Sequence, residues 1–135
     1  MSIDLGDRKL SQINFLARTT LAFIFFYHGL IPKILFPSEI EVMLVNQHNL
    51  PMDALLFSQM AGILEMVLAC LIMIMRFSIW PVYIAMFLLV FLLIDVAIMM
   101  PELLVEAFNP VSINTAALML GMIVVISQVS KKSKY

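Results

Sequence analysis

Long apolar runs, separated by short polar segments, dominate the pattern of the chain. Four runs approach or exceed the roughly 20 residues that a helix needs to cross a bilayer. They cover about residues 13–36, 51–75, 79–100 and 110–128. This pattern predicts an all-α integral membrane protein in which four transmembrane helices form an antiparallel bundle. The whole chain, residues 1–135, is expected to be a single membrane domain.

Prolines and polar residues mark where these helices end. Pro32 has no N–H to donate to the carbonyl of His28, and Gly29 lies in the same turn, so a kink or a ragged helix end is predicted there. The segments 39–46 and 102–108 are amphipathic and predict short interfacial helices in the external loops. Ser38 and Glu41 have the spacing of a capping box at the start of the first short helix; Asp53 is well placed near the N-terminus of the second span, and Asn109-Pro110 opens the fourth.

Two of the predicted spans carry small and polar residues at helical spacing, which is typical of close helix packing in membranes. On the second span the face consists of Ser58, Ala61, Gly62, Glu65 and Ala69, and on the fourth of Asn114, Ala117, Gly121 and Gln128. These faces are therefore predicted to meet other helices and not lipid.

Composition supports this class and excludes others. The chain is 63% hydrophobic with a mean hydropathy of +1.05, which a soluble domain of this size does not have. A net charge of −1 gives no case for nucleic-acid binding. Cys70 is the single cysteine, so the chain has neither a disulfide nor a CxxC redox pair.

The distribution of basic residues predicts the orientation in the membrane. Of the 8 lysines and arginines, all but Lys33 fall on the side of the two termini and of the turn at Arg76, if Arg18 is counted at the edge of that side. This bias follows the positive-inside rule. It predicts a multi-pass protein of the inner (plasma) membrane with both termini in the cytoplasm.

Ionisable residues inside the predicted spans are the candidates for function. Each acid within a membrane costs roughly 2.5 kcal/mol or more on insertion scales, so Glu65 and Asp95 should face inward, paired or protonated. The available partners are His28, Lys33, Arg18 and the Tyr27 hydroxyl. The candidates for ligand binding or proton exchange are Glu65, His28, Asp95, Lys33, Asn114 and Tyr27.

The alternative for the same residues is structural. Buried polar groups often only hold membrane helices together, and Lys33 and Arg18 could anchor helix ends at the interface. A b-type haem would need a second membrane histidine beside His28, and no metal-ligand spacing is present. The chain has no nucleophile or phosphate-binding motif, so no catalytic residue is assigned.

Three segments in order resemble the DoxX-like family of small four-span membrane proteins. They are YHGLIPKILFP at residues 27–37, GILE at residues 62–65, and FNP at residues 108–110 followed by Asn114. The resemblance covers nearly the whole chain and implies a four-helix membrane bundle. It also implies a link to oxidoreductases, since some members are subunits of a thiosulfate–quinone oxidoreductase or membrane partners of detoxifying and thiol-handling enzymes. The branch that this chain looks closest to is often associated with dehydrogenases similar to nucleotide-sugar epimerases.

Three hypotheses for function follow. The leading one is a membrane subunit or accessory protein of an oxidoreductase system, whose polar cleft binds a quinone-like or lipid-like molecule. Glu65 and His28 would exchange protons or hydrogen bonds there, and Lys33 would contact an anionic or carbonyl group. The second is a proton-coupled small transporter that works as a homodimer. The third is a membrane scaffold or chaperone without a ligand.

Overall fold

All regular structure in the described part of the chain is helical. The computed structural model describes residues 2–132, and the side chains from residue 5 to residue 130. The third of the C-terminal lysines in the orientation argument, Lys134, and the side chains of Lys131 and Lys132 lie outside this part. In chain order the elements are α1 (Ser2–Leu30), a π-helical segment (Ile31–Leu35), α2 (Glu39–Gln47), α3 (Ala54–Ile74), α4 (Trp80–Met99), a 3-10 helical segment (Pro101–Val105) and α5 (Pro110–Lys132).

Four of these helical stretches are long and apolar enough to cross a membrane, as predicted. They are Leu5–Leu35, Ala54–Ile74, Trp80–Met99 and Pro110–Ser130. The first begins earlier than the predicted residue 13, because helix α1 continues through the polar N-terminal residues. Large apolar side chains such as Phe23, Leu64 and Ile98 are exposed on the outside. This surface matches a lipid environment, so the chain is a membrane protein.

The central contact of the fold is between α1 and α3, and α1 also packs along α5, which in turn contacts α4. Arg18 of α1 bonds to Ile72 of α3, whereas Gly29 meets Gly62. The residue numbers of α1 therefore rise as those of α3 fall. The buried core includes Leu21, Ile72, Val82 and Val124, one or more from each of the four long helices. Placement of α2 and of segment 101–105 at the membrane interface stays a prediction.

Gly29 and Gly62 bring α1 and α3 into backbone contact. A Cβ atom on Gly62 would lie 2.6 Å from the carbonyl oxygen of Gly29 and 2.8 Å from Cβ of Lys33. No side chain larger than a hydrogen fits at such separations, which is the reason small residues line close helix contacts in membranes. The predicted small face of α3 is thus buried, with Ser58, Gly62, Glu65 and Ala69 all inside.

The end of the first span is irregular at Pro32, but the helix widens there and does not break. Residues Ile31–Leu35 form a π-helical segment, and the N–H of Phe36 donates to the carbonyl of Ile31 at 2.9 Å. A π-turn pairs residues five apart, so the chain stays wound where proline cannot supply an i→i−4 bond. Lys33 lies within this segment, and its side chain is buried rather than snorkelling to the interface.

Helix starts agree with the sequence at two of three positions. Asp53 caps α3 by accepting from the N–H of Leu56 at 2.9 Å, and Asn109 caps α5 by accepting from Ser112 at the same distance. The capping box at Ser38 and Glu41 is wrong. Ser38 makes no side-chain cap bond to α2, and the carboxylate of Glu41 faces Lys33 and His28 instead. Electrostatic attraction to these basic groups draws Glu41 away from the helix start.

Arg18 is a buried crosslink and not the interface anchor or acid partner that the sequence suggested. Its side chain is only 2% exposed. The guanidinium donates to the carbonyls of Ile72 at 2.9 Å and Ser78 at 2.7 Å, and to side-chain oxygens of Asn14 and Gln128. Carbonyls at the end of a helix lack intrahelical donors and carry partial negative charge, which a cation stabilises. Arg18 therefore joins α1, the end of α3, the α3–α4 turn and α5.

Replacing Arg18 with lysine is expected to lower the free energy of unfolding by about 2 kcal/mol, because an ammonium cannot reproduce the forked set of hydrogen bonds. Equilibrium unfolding in mixed detergent micelles measures this loss. The control is Arg76→Lys, an exposed arginine whose guanidinium lies 4.8 Å from the Phe77 ring centroid. That change is expected to cost under about 1 kcal/mol. Equal losses for the two variants would contradict the crosslinking role of Arg18.

Candidate functional site

A cavity of about 240 Å³ lies among the helices on the side of α2. Most of its wall is apolar, and its polar side chains come from α1, the π-helical segment, α2, α3, the loop before α5, and α5. The lining residues are Ile24, Phe25, His28, Lys33, Ile40, Glu41, Leu44, Glu65, Leu89, Leu92, Val96, Leu103, Glu106, Phe108, Pro110, Ile113 and Asn114. An apolar pocket with a few convergent polar groups is the usual form of a small-molecule site.

Lys33 and Glu65 form a buried ion pair at the polar part of this cavity. Lys33 Nζ lies 2.5 Å from Glu65 Oε1, and the two residues are 6% and 8% exposed. The π-helical segment presents Lys33 and the glycine contact brings α3 close enough for Glu65 to reach it. Burying an acid in the low-dielectric interior of a membrane protein costs free energy, and the ion pair with Lys33 offsets part of this cost for Glu65.

Glu41 of α2 extends the pair into a cluster of four ionisable groups. Its Oε2 lies 3.4 Å from Lys33 Nζ, and its Oε1 lies 3.7 Å from Nδ1 of His28. His28 is about half exposed, whereas Glu41 is partly buried. Lys33 is therefore held between two carboxylates, Glu65 and Glu41, with an imidazole at the edge. Helix α2, which contributes Ile40 and Leu44 to the same wall, is tied to α1 by this cluster.

The second carboxylate oxygen of Glu65 differs from all the polar atoms around it. Oε2 is buried. Among the buried side-chain nitrogen and oxygen atoms of the described residues, it alone has no hydrogen-bond partner. A buried acceptor without a donor costs about 1–3 kcal/mol, and more when it is charged. A group that can donate a hydrogen bond would therefore be stabilised next to Glu65.

Asn114 and Tyr27 have different positions relative to the cavity. Asn114 lines it, and its amide nitrogen donates to the carbonyl of Leu89 at 3.4 Å, a long bond between α5 and α4. Tyr27 is not among the lining residues. Its side chain is 51% exposed and its ring lies 5.7 Å from that of Phe23, measured between centroids. Tyr27 is one residue from His28, and this step around the helix turns it to the outer face.

Asp95 is paired with His48, a residue in the loop that follows α2. Nε2 of His48, which follows α2, lies 3.1 Å from Asp95 Oδ1 and 3.2 Å from Oδ2. Asp95 does not line the cavity, so Glu65 and Asp95 belong to separate clusters. Both clusters hold α2: Glu41 ties its first turn to Lys33, and His48 ties its end to α4.

Two participants, Glu41 and His48, lay outside the sequence-based candidates. Their positions in a short loop helix gave no reason to separate them from solvated residues. One usable signal was charge balance, because Asp95 and Glu65 each required a partner and the external loops held the remaining histidine. Among the described residues no group of three His, Cys, Asp or Glu side chains could hold a metal ion. The carboxylates, ammonium and imidazole of the cluster can donate and accept hydrogen bonds.

Fold and cavity together define a small four-helix membrane protein with an amphipathic internal site. Comparison with protein families agrees with this class: the model of the DoxX-like family matches residues 22–122, which include all of α2, α3 and α4 and the whole ionisable cluster. The chain belongs to the DoxX-like family. No curated protein and no solved structure matches it.

Proposed function

We propose that this protein is a membrane subunit or accessory protein of an oxidoreductase system, and that its cavity binds a quinone-like or lipid-like molecule. The observation that carries the proposal is the cavity itself, where one wall of leucine, isoleucine and phenylalanine side chains meets the cluster of Lys33, Glu65, Glu41 and His28. Such a lining suits a molecule with an apolar body and a small polar head.

The charge distribution supports an orientation for this site. With both termini in the cytoplasm of a cell with an inner membrane, Lys33 and α2 lie toward the outer face. The ligand would then be taken from the outer half of the bilayer. In this arrangement His28, which is half exposed, would connect the buried pair to water and could carry protons to or from the site.

Ligand binding is tested by filling the cavity with one substitution. Ile113→Trp adds bulk to a residue that lines the cavity, and Ile123→Trp makes the same change on the same helix away from it. The two isoleucines are matched in exposure, at 43% and 40%. The proteins are purified in mild detergent, and bound lipids and quinones are identified by mass spectrometry. We expect the wild type and Ile123→Trp to retain the same molecule and Ile113→Trp to lose at least about nine-tenths of it.

The partner protein is tested in the same preparations by identifying the proteins that co-purify. An oxidoreductase subunit retained at constant stoichiometry supports the accessory role. An unchanged set of bound molecules in Ile113→Trp would overturn the binding proposal, and the absence of any redox protein from crosslinked membranes would overturn the oxidoreductase role.

The proton-coupled transporter is the second candidate, because a buried carboxylate, Glu65, faces a cavity inside the membrane. Reconstituted liposomes separate it from the leading proposal. Uptake of a ligand found in the purified protein, driven by an imposed proton gradient and lost in Glu65→Gln, would favour transport by a homodimer. Binding without uptake favours the accessory subunit.

A further inference from the structure

The unpartnered oxygen of Glu65 restricts the chemistry of the head group that the cavity can hold. Glu65 Oε1 is occupied by Lys33 at 2.5 Å, whereas Oε2 is buried without a donor in a residue that lines the cavity. A carboxylate oxygen can only accept hydrogen bonds. A ligand that stabilises this atom must therefore bring an O–H or N–H group.

An anionic head group is disfavoured by the same cluster. Lys33 is the single lysine or arginine among the lining residues, and its ammonium is already engaged by Glu65 and, at 3.4 Å, by Glu41. Glu106 adds a third acid to the lining. An incoming carboxylate or phosphate would meet three acids and an ammonium that is held by two of them, so repulsion exceeds attraction.

The head group must therefore donate a hydrogen bond and carry no negative charge. A hydroxyl meets both conditions.

We infer that the cavity selects amphiphiles whose head group carries a hydroxyl and no negative charge, and that this hydroxyl donates a hydrogen bond to Glu65 Oε2. The inference rests on the proposed binding function and adds the head-group class. For a quinone-like ligand it means that the hydroquinone, which has O–H donors, binds in preference to the quinone, which has only acceptors. It concerns binding alone and requires no transfer of electrons.

Three redox-inert probes with the same tail test this selectivity: 4-octylphenol, 4-octylanisole and 4-octylbenzoate. The phenol is uncharged at pH 7 and donates one hydrogen bond, the anisole only accepts, and the benzoate is an anion. Binding is measured by equilibrium dialysis between nanodiscs that contain the protein and empty nanodiscs, which subtracts partition into lipid. We expect the phenol to bind about tenfold more tightly than the anisole, and the benzoate more weakly than both.

Two matched variants assign the preference to Glu65. In Glu65→Gln the amide can donate to the anisole oxygen, so the ratio of the two affinities should fall to about twofold or less. Glu102→Gln makes the same change in an exposed acid that does not line the cavity and should keep the tenfold ratio. The wild-type ratio needs no variant, so a failure of Glu65→Gln to fold leaves the test standing.

The outcomes separate this inference from the proposal beneath it. Equal binding of phenol and anisole to the wild type, or tightest binding of the benzoate, would overturn the head-group inference while the cavity remains a binding site. Binding of none of the probes, together with no effect of Ile113→Trp on co-purified molecules, would overturn the binding function itself.

Discussion

Lys33→Met is expected to lower the free energy of unfolding by about 3–5 kcal/mol, because it leaves Glu65 buried without its cation. Glu65 is 8% exposed and its Oε2 already lacks a donor, so after the substitution neither oxygen would have the partner seen now. Methionine matches the length and apolar stem of lysine, which keeps the packing at the π-helical segment. The expected loss is therefore electrostatic, and equilibrium unfolding in mixed detergent micelles measures it.

A second substitution distinguishes loss of pairing from damage to the segment around Pro32. The double variant Lys33→Met, Glu65→Leu removes both charges, and well-packed apolar residues in place of a buried pair are often neutral or stabilising. We expect it to regain most of the stability lost in the single variant. The control is Lys9→Met, the same change at an exposed position of α1, which should stay within about 0.5 kcal/mol of the wild type. A double variant as unstable as Lys33→Met would contradict the pairing argument.

The parts of the fold that the sequence predicted are those set by local patterns. Apolar runs long enough to span a bilayer identified the four helices, and Asp53 and Asn109 marked two helix starts. The small residues at helical spacing on α3 predicted its buried face. Each of these signals lies within one element, so no knowledge of a neighbouring helix was needed.

Pairing between elements was harder to predict because it depends on contacts that are distant in the chain. Arg18 and Lys33 were each considered both as interface anchors and as partners for a membrane acid, and both are buried, since Arg18 meets the end of α3 and Lys33 meets Glu65. The free-energy cost of burying an acid in the membrane meant that Glu65 and Asp95 each needed a partner, but it did not identify that partner. The geometry selected Lys33 for Glu65 and His48 for Asp95, which divided a single predicted cluster into two.

The irregular end of the first span is also a feature that the sequence predicted only in part, because its backbone conformation depends on neighbouring helices. Pro32 correctly marked the irregular segment, which is Ile31–Leu35, since the missing N–H is a property of the residue itself, whereas Gly29 lies in the regular part of α1. Whether the helix kinks or widens depends on what it packs against. Here the π-helical segment keeps Lys33 directed inward, beside a glycine contact with α3. The ionisable cluster thus depends on both the π-helical segment and the glycine contact.

Gly62→Ala is expected to lower the free energy of unfolding by about 3 kcal/mol and to abolish ligand retention in the cavity. The new methyl group would lie 2.6 Å from the carbonyl oxygen of Gly29 and 2.8 Å from Cβ of Lys33. Both neighbours belong to the backbone or are fixed to it, so α1 and α3 must move apart, a cost at the upper end of overpacking effects. Separation of the helices also draws Lys33 away from Glu65.

Two other glycines supply controls for the same substitution. A Cβ at Gly121 would meet the Cγ and sulfur of Met86, a flexible side chain that can move aside, and a Cβ at Gly6 would meet nothing within 4 Å. Both lie in helices, where alanine is favoured over glycine by about 1 kcal/mol. Gly6→Ala should therefore be neutral or stabilising and Gly121→Ala close to neutral, so a loss confined to Gly62→Ala assigns the effect to the backbone contact. If Gly62→Ala unfolds like Gly121→Ala, the approach of α1 to α3 does not hold Lys33 and Glu65 together, and the cluster must depend on Glu41 and α2 instead.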